Sequence, residues 1–161
     1  MIKVLCKDGV QLEISRESAN YFDVIKEMLE DDESEEVEIP LLEVDADNFK
    51  LAVEFVDQYR INPCNLTEEN VDTWFDALPD WYKDYSTRIV FHKLMCGKCV
   101  YFLNCKPLIT FLNLDLVYKM KKSNFDVKIT GPLLSPNPVE LSKEQVTDIL
   151  MKNKDLIFSK S

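Results

Sequence analysis

Glycine is scarce, with three in 161 residues. Neither G-x-x-x-x-G-K nor G-x-G-x-x-G occurs, so the loops that bring backbone close to a phosphate are excluded. Histidine is scarcer still, His92 being the only one. Every His-based catalytic arrangement would have to run through it, and no G-x-S-x-G elbow supplies a partner nucleophile. Positive charge is in deficit: 19 Lys and Arg stand against 29 Asp and Glu, a formal net charge of −10. Such a chain lacks the clustered cations that grip phosphates, and an anionic membrane surface repels it. No apolar run approaches the roughly 18 residues of a membrane span. The opening "MIKVLCKDGV" lacks the apolar core of a signal peptide. The expectation is therefore a cytoplasmic and/or nuclear protein, with no nucleic-acid or membrane partner. A basic patch on another protein is the natural complement.

What is present is ordinary globular composition, 46% apolar and 30% charged, in a chain long enough to bury one core. Five cysteines are an odd number, and without a secretory signal they read as reduced thiols. "IKVLCKDGVQLEI" alternates on either side of Asp8-Gly9, which predicts a hairpin with a two-residue turn. "SRESANYFDVIKEMLED" predicts one helix, with Phe22, Ile25, Met28 and Leu29 on its apolar face. The acidic run at 30–36 predicts a solvated loop, and "VEIPL" a brief strand. Asp45 or Asp47 then caps a helix whose stripe is Phe49, Ala52, Val53 and Val56, with Phe55 beside it. Thr67 is the expected cap of a short helix carrying Val71, Trp74, Phe75 and Leu78. Residues 85–104 are expected to be helical, and Pro107 suits the first turn of the next helix, with Leu108, Phe111, Leu112, Leu116 and Met120 inward. A proline-bearing stretch at 130–140 leads to a last amphipathic helix opened by the Ser142/Gln145 capping box. Strands first and helices after predict an α+β domain with one small sheet.

The stretch "CGKCVYFLNCKPL" (96–108) is the one place that suggests chemistry. His92, Cys96, Cys99 and Cys105 are soft donors, the first three at i, i+4 and i+7 of a helix. Structural zinc sites, however, draw ligands from turns and from a second paired cluster, which is missing here. A thioredoxin-like C-x-x-C would open a helix after a strand, where the first thiol is acidified. Here the pair is expected in mid-helix. The bland reading, small cysteines packed on a buried face, carries more weight than either. No catalytic constellation, metal or cofactor is expected.

Several stretches in order resemble one family, the S-phase kinase-associated (Skp-type) adaptors of SCF ubiquitin ligases, of BTB/POZ fold. "IKVLCKDGVQLEI" resembles the opening hairpin, and "VIKEMLEDDESEEVEIPL" (24–41) the helix end, acidic loop and strand that follow. "DADNFKLAVEFVDQY" (45–59) resembles the next helix, with Phe55-Val56 where the family usually has an aromatic and a cysteine. "YFLNCKPLI" (101–109) is similar to the family's "NYLDIKxLL" at Phe102, Leu103, Lys106 and Leu108, with Asn104 for the aspartate and Cys105 for the isoleucine. "LSKEQ" (141–145) is similar to the start of the C-terminal helix. Departures include Lys98, the aromatic pair Trp74-Phe75 in the central segment, and Leu156 near the family's tryptophan. The chain is identified as a divergent member of this family.

The resemblance implies a small three-stranded sheet packed with helices at 1–122 and a C-terminal extension at 123–161. It implies a non-catalytic adaptor that bridges a cullin to an F-box substrate receptor. Matched motif by motif, the cullin-facing candidates are Tyr101, Phe102, Asn104 and Glu38. The F-box-facing candidates are Pro107, Leu108, Phe111, Leu114, Lys119, Phe125, Leu150 and Leu156. The bland alternative for each apolar member is burial in the chain's own core. Alternative functions are a cullin-binding decoy, an elongin-C-like scaffold, or a domain that self-associates as a homodimer through its BTB part. The stretch past residue 122 favours the Skp type over elongin C.

Overall fold

A computed structural model describes residues 1–30, 37–67, 70–89, 99–124 and 126. Strands β1 (Ile2–Cys6) and β2 (Gln11–Ile14) form the expected hairpin. Its connection is longer than the two residues expected. Gly9 N–H donates to Cys6 O at 2.9 Å, so Lys7, Asp8 and Gly9 all lie between the strands, with Gly9 at φ 78°. The glycine takes the left-handed position that closes a three-residue hairpin loop. β3 (Glu38–Leu41) runs parallel to β1 on its other side, giving the order β2–β1–β3. The paired register puts Ile2, Val4, Cys6, Ile14, Ile39 and Leu41 on one buried face. Val10 stays exposed at the loop end.

The predicted first helix is two. α1 (Arg16–Ala19) is capped by Ser15, whose Oγ accepts from Ser18 N–H at 3.0 Å, and α2 spans Asp23–Glu30. Between them Tyr21 and Phe22 donate to the carbonyls of Ser18 and Ala19, a tighter turn that carries Phe22 fully into the core. Met28 is consequently on the surface.

α3 (Ala46–Ile61) receives two carboxylates at its start. Asp45 Oδ1 accepts from Asn48 N–H at 3.0 Å, and Asp8 of the hairpin loop accepts from Ala46 N–H at 3.1 Å. Donors that a helix start leaves without intrahelical partners are thus satisfied, and the loop is tied to α3. Phe55, expected beside the apolar stripe, is at the centre of the core. The rings of Tyr59, Tyr82, Tyr85 and Phe111 lie 5.1–5.9 Å from it, centroid to centroid.

α4 (Val71–Ala77) is capped by Asn70 rather than Thr67: Asn70 Oδ1 accepts from Asp72 N–H at 3.0 Å. Thr67 instead donates its hydroxyl to Asn65 Oδ1. The continuous helix expected over 85–104 is also corrected. α5 spans Asp80–Arg88 and stops at Ile89, which is extended at ψ 141°. Trp81, Tyr82 and Tyr85 start the apolar face one turn earlier than the reading allowed. α6 (Cys99–Leu103) and α7 (Lys106–Lys122) complete the described elements, with Pro107 in the first turn of α7 as expected. Leu108, Phe111 and Leu112 join the same core as the sheet and α3, so the described part of 1–122 shares one core. The extension at 123–161 lies outside the described residues except for Ser123, Asn124 and Asp126. The acidic loop (31–36), the proline-bearing stretch and the last helix lie outside them entirely.

Candidate protein-docking site

The described residues of α6, Cys99–Leu103, bury Cys99, Val100 and Leu103 and leave Tyr101 59% exposed. Phe102 is half-buried and packs against the core. The turn is closed by Asn104, whose N–H donates to Tyr101 O at 3.2 Å and whose φ is 48°. Among non-glycine residues asparagine is one of the few enriched in that left-handed region. Its side chain is anchored as well: Nδ2 donates to Asp23 Oδ2 at 2.7 Å, and Lys106 Nζ lies 3.7 Å from the same oxygen. The α6–α7 corner is thus pinned to the start of α2, and it holds an outward-facing tyrosine on an ordered base. Glu38 sits elsewhere, on the outer face of the sheet, where it accepts from Gln11 Nε2 at 3.0 Å. Tyr101, Phe102 and Asn104 are therefore brought together by one corner, and Glu38 belongs to a different element.

The second set divides in four. Leu108 and Phe111 have no exposed surface and support the fold from within. Pro107 and Leu114 are half-buried on α7. Lys119 is engaged internally, its Nζ donating to Asp115 Oδ2 and to Ser86 O, each at 2.7 Å. Phe125, Leu150 and Leu156 lie outside the described residues. The flank of α7 is covered by α4: the Phe75 and Tyr118 rings stack at 3.9 Å, and Lys121 Nζ meets Asp72 at 2.6 Å. Sequence reasoning missed that cover, although Trp74-Phe75 at helical spacing signalled an ordered segment. It also missed Asp115, a fully buried carboxyl that accepts from the Ser86 hydroxyl at 2.5 Å. Its position on the inward face of α7, one turn before Lys119, was the available signal.

The described cysteines, Cys6, Cys64, Cys99 and Cys105, are free thiols. Cys99 and Cys105 are buried, and burial pushes their thiols up to about 12 and about 11. Both stay protonated at neutral pH, which makes them poor nucleophiles. The expectation that Cys99 lies in mid-helix turns on residues 90–98, which lie outside the described residues; burial is what keeps its thiol protonated. His92 and Cys96, the other members of the suspected metal set, lie outside the described residues. Among the described residues no helix is long and apolar enough to cross a membrane.

No curated protein matches the chain. Residues 1–61 match the family profile described as Skp1 family, tetramerisation domain. The matched segment contains the hairpin, α1, α2, the parallel strand β3 and the whole of α3. Sheet order, helix placement and family match agree, and the first 61 residues are a Skp1-type domain of BTB/POZ fold.

Proposed function

We propose that the chain is a non-catalytic adaptor that joins a cullin scaffold to an F-box substrate receptor in an SCF-type ubiquitin ligase. The observation that carries this reading is the α6–α7 corner beside the Skp1-type domain: an exposed Tyr101 on a turn fixed by Asn104 and Asp23. An aromatic side chain presented from an ordered base loses little conformational freedom on docking, which is what an interface anchor needs. The adaptor's work is geometric. By holding a substrate receptor on the scaffold it raises effective concentration and makes no bonds itself. The expected address is cytoplasmic and/or nuclear, where cullin ligases would meet it.

A second reading is favoured by the burial of Leu108 and Phe111 and by the α4 cover on α7. A chain that keeps the cullin-facing corner while its α7 face is filled from within would act as a cullin-binding decoy. Copurification of the full chain with a cullin N-terminal region, and separately with an F-box peptide, distinguishes the two. Capture of both supports the bridge, and capture of the cullin alone supports the decoy. Capture of neither refutes both, and self-association without cullin binding would mark a dimeric BTB domain.

A further inference from the structure

The small sheet has two edges, and their chemistry differs. Lys3 N–H donates to Val37 O at 3.0 Å, so alternate residues of β3 turn their main-chain groups to β1, and Glu38 and Pro40 turn theirs outward. Pro40 has no N–H to offer, which blunts that edge. At β2, Cys6 N–H donates to Val10 O at 2.9 Å, so Leu12 and Ile14 face β1 while Gln11 and Glu13 direct their N–H and C=O groups away from the sheet. No proline interrupts this edge, and both residues are exposed. Beside it, between β2 and α3, lies a cavity of about 300 Å³ with an apolar lining of Leu12, Ile14, Phe49 and Val53.

Among the described residues no strand pairs with the outer edge of β2, and an open edge next to a helix-walled apolar groove is the geometry in which an extended peptide adds to a sheet. We propose that β2 and α3 form a docking groove for an extended, basic segment of a partner protein. The segment adds to β2 as a fourth strand, places one apolar side chain in the cavity and sets Lys or Arg beside Glu13 and Asp57. Charge selects this occupant. The cavity is lined by the carboxylates of Glu13, Glu54 and Asp57 against the single ammonium of Lys50. Glu54 is neutralised by Arg88, which reaches its two oxygens at 2.7 and 3.1 Å, and one Asp57 oxygen accepts from Ser18, leaving Glu13 and the rest of Asp57 to act outward. A second copy of this chain would bring another −10 to the same edge, which works against a β2–β2 dimer. The groove uses no residue of the α6–α7 corner or of α7, so it does not depend on the adaptor reading.

The probe is a fluorescein-labelled peptide of about ten alternating Lys and Val residues, the length of one or two strands. Its binding to the full chain is read by anisotropy, and amide exchange is followed at Gln11 and Glu13. Strand addition predicts new protection at both amides and binding about tenfold weaker on Val53→Trp, which fills the cavity, or Glu13→Lys. It also predicts loss of binding when alternate peptide nitrogens are methylated. Thermal melts confirm that both variants fold, and Glu13→Lys, at an exposed site, serves if Val53→Trp does not. No binding, or binding that survives methylation and both substitutions, would overturn the proposal. So would protection of Gln11 and Glu13 in the peptide-free chain that disappears either on dilution or on deletion of residues 127–161, since a second copy or the chain's own tail would then hold the edge.

Discussion

Asp115 is a carboxyl with no exposed surface, and the loss of hydration outweighs the help of Lys119 and Ser86, so its pKa is held above the ordinary aspartate range. The folded chain therefore binds this proton more tightly than the unfolded chain does. The sign follows: the contribution favours folding below the unfolded value of about 4 and is lost as pH rises through the raised folded value. Asp115→Asn removes that titration. The stability of the variant minus that of the parent should rise from about pH 4 upward and then level off. Urea unfolding at a series of pH values checks this, and a difference that does not change with pH would refute it. Tyr101 is the opposite kind of residue, exposed and doing little for the fold. Tyr101→Ala should change stability by less than about 0.5 kcal/mol. It should weaken capture by a cullin N-terminal region about tenfold or more, measured by calorimetry. Phe102, half-buried against the core, would lose stability as well as contact, so it is the poorer probe.

At the scale of elements, ends matter more than middles. α3 starts between two short acidic side chains, Asp45 in its own cap position and Asp8 from the hairpin loop. Asp45→Ala should cost about 1 kcal/mol, the usual worth of such a cap. The measurement is the midpoint of denaturant unfolding. A cost near zero would mean that Asp8 alone satisfies the helix start. α4 shows how close a cap assignment can be and still miss. Thr67 and Asn70 are both competent caps in the same short loop, and Asn70 wins because its Oδ1 reaches two main-chain N–H groups of the first turn. α5 shows the limit of periodicity. Tyr85 lies on the apolar faces of both the predicted helix and the real one, so its spacing with later residues could not reveal that Ile89 leaves the helix.

For the whole molecule, the decisive feature is that the N-terminal domain and the helices after residue 61 share one aromatic centre. Phe55 of α3 touches Tyr82 and Tyr85 of α5 and Phe111 of α7. Phe55→Ala leaves a cavity where these elements meet and should cost about 3–5 kcal/mol. Calorimetry should show a single transition moving to lower temperature. Two separated transitions would mean that the POZ segment and the later helices fold independently. Arg88 reinforces the same seam from outside by bridging Glu54 of α3 and Asp84 of its own helix.

The hairpin, β3, the apolar face of α3 and the start of α7 could be read from residue order alone. Each rests on local chemistry: alternation on either side of a glycine, a capping aspartate, a proline in a first turn. Tyr101, Phe102 and Asn104 came instead from the resemblance of "YFLNCKPLI" to a family motif, and they share one corner because they are neighbours in the chain. What local order could not decide was which apolar positions face outward. Leu108 and Phe111 carry the pattern of a docking stripe, and only the packing of α4 and α5 against α7 turned that stripe into core. Asp115 and Lys119 likewise look like surface charges in sequence, and became an internal pair because α5 brought Ser86 to them. Residue spacing sets which side chains share a face, and the tertiary structure decides what covers that face, because burial depends on neighbours far away in the chain.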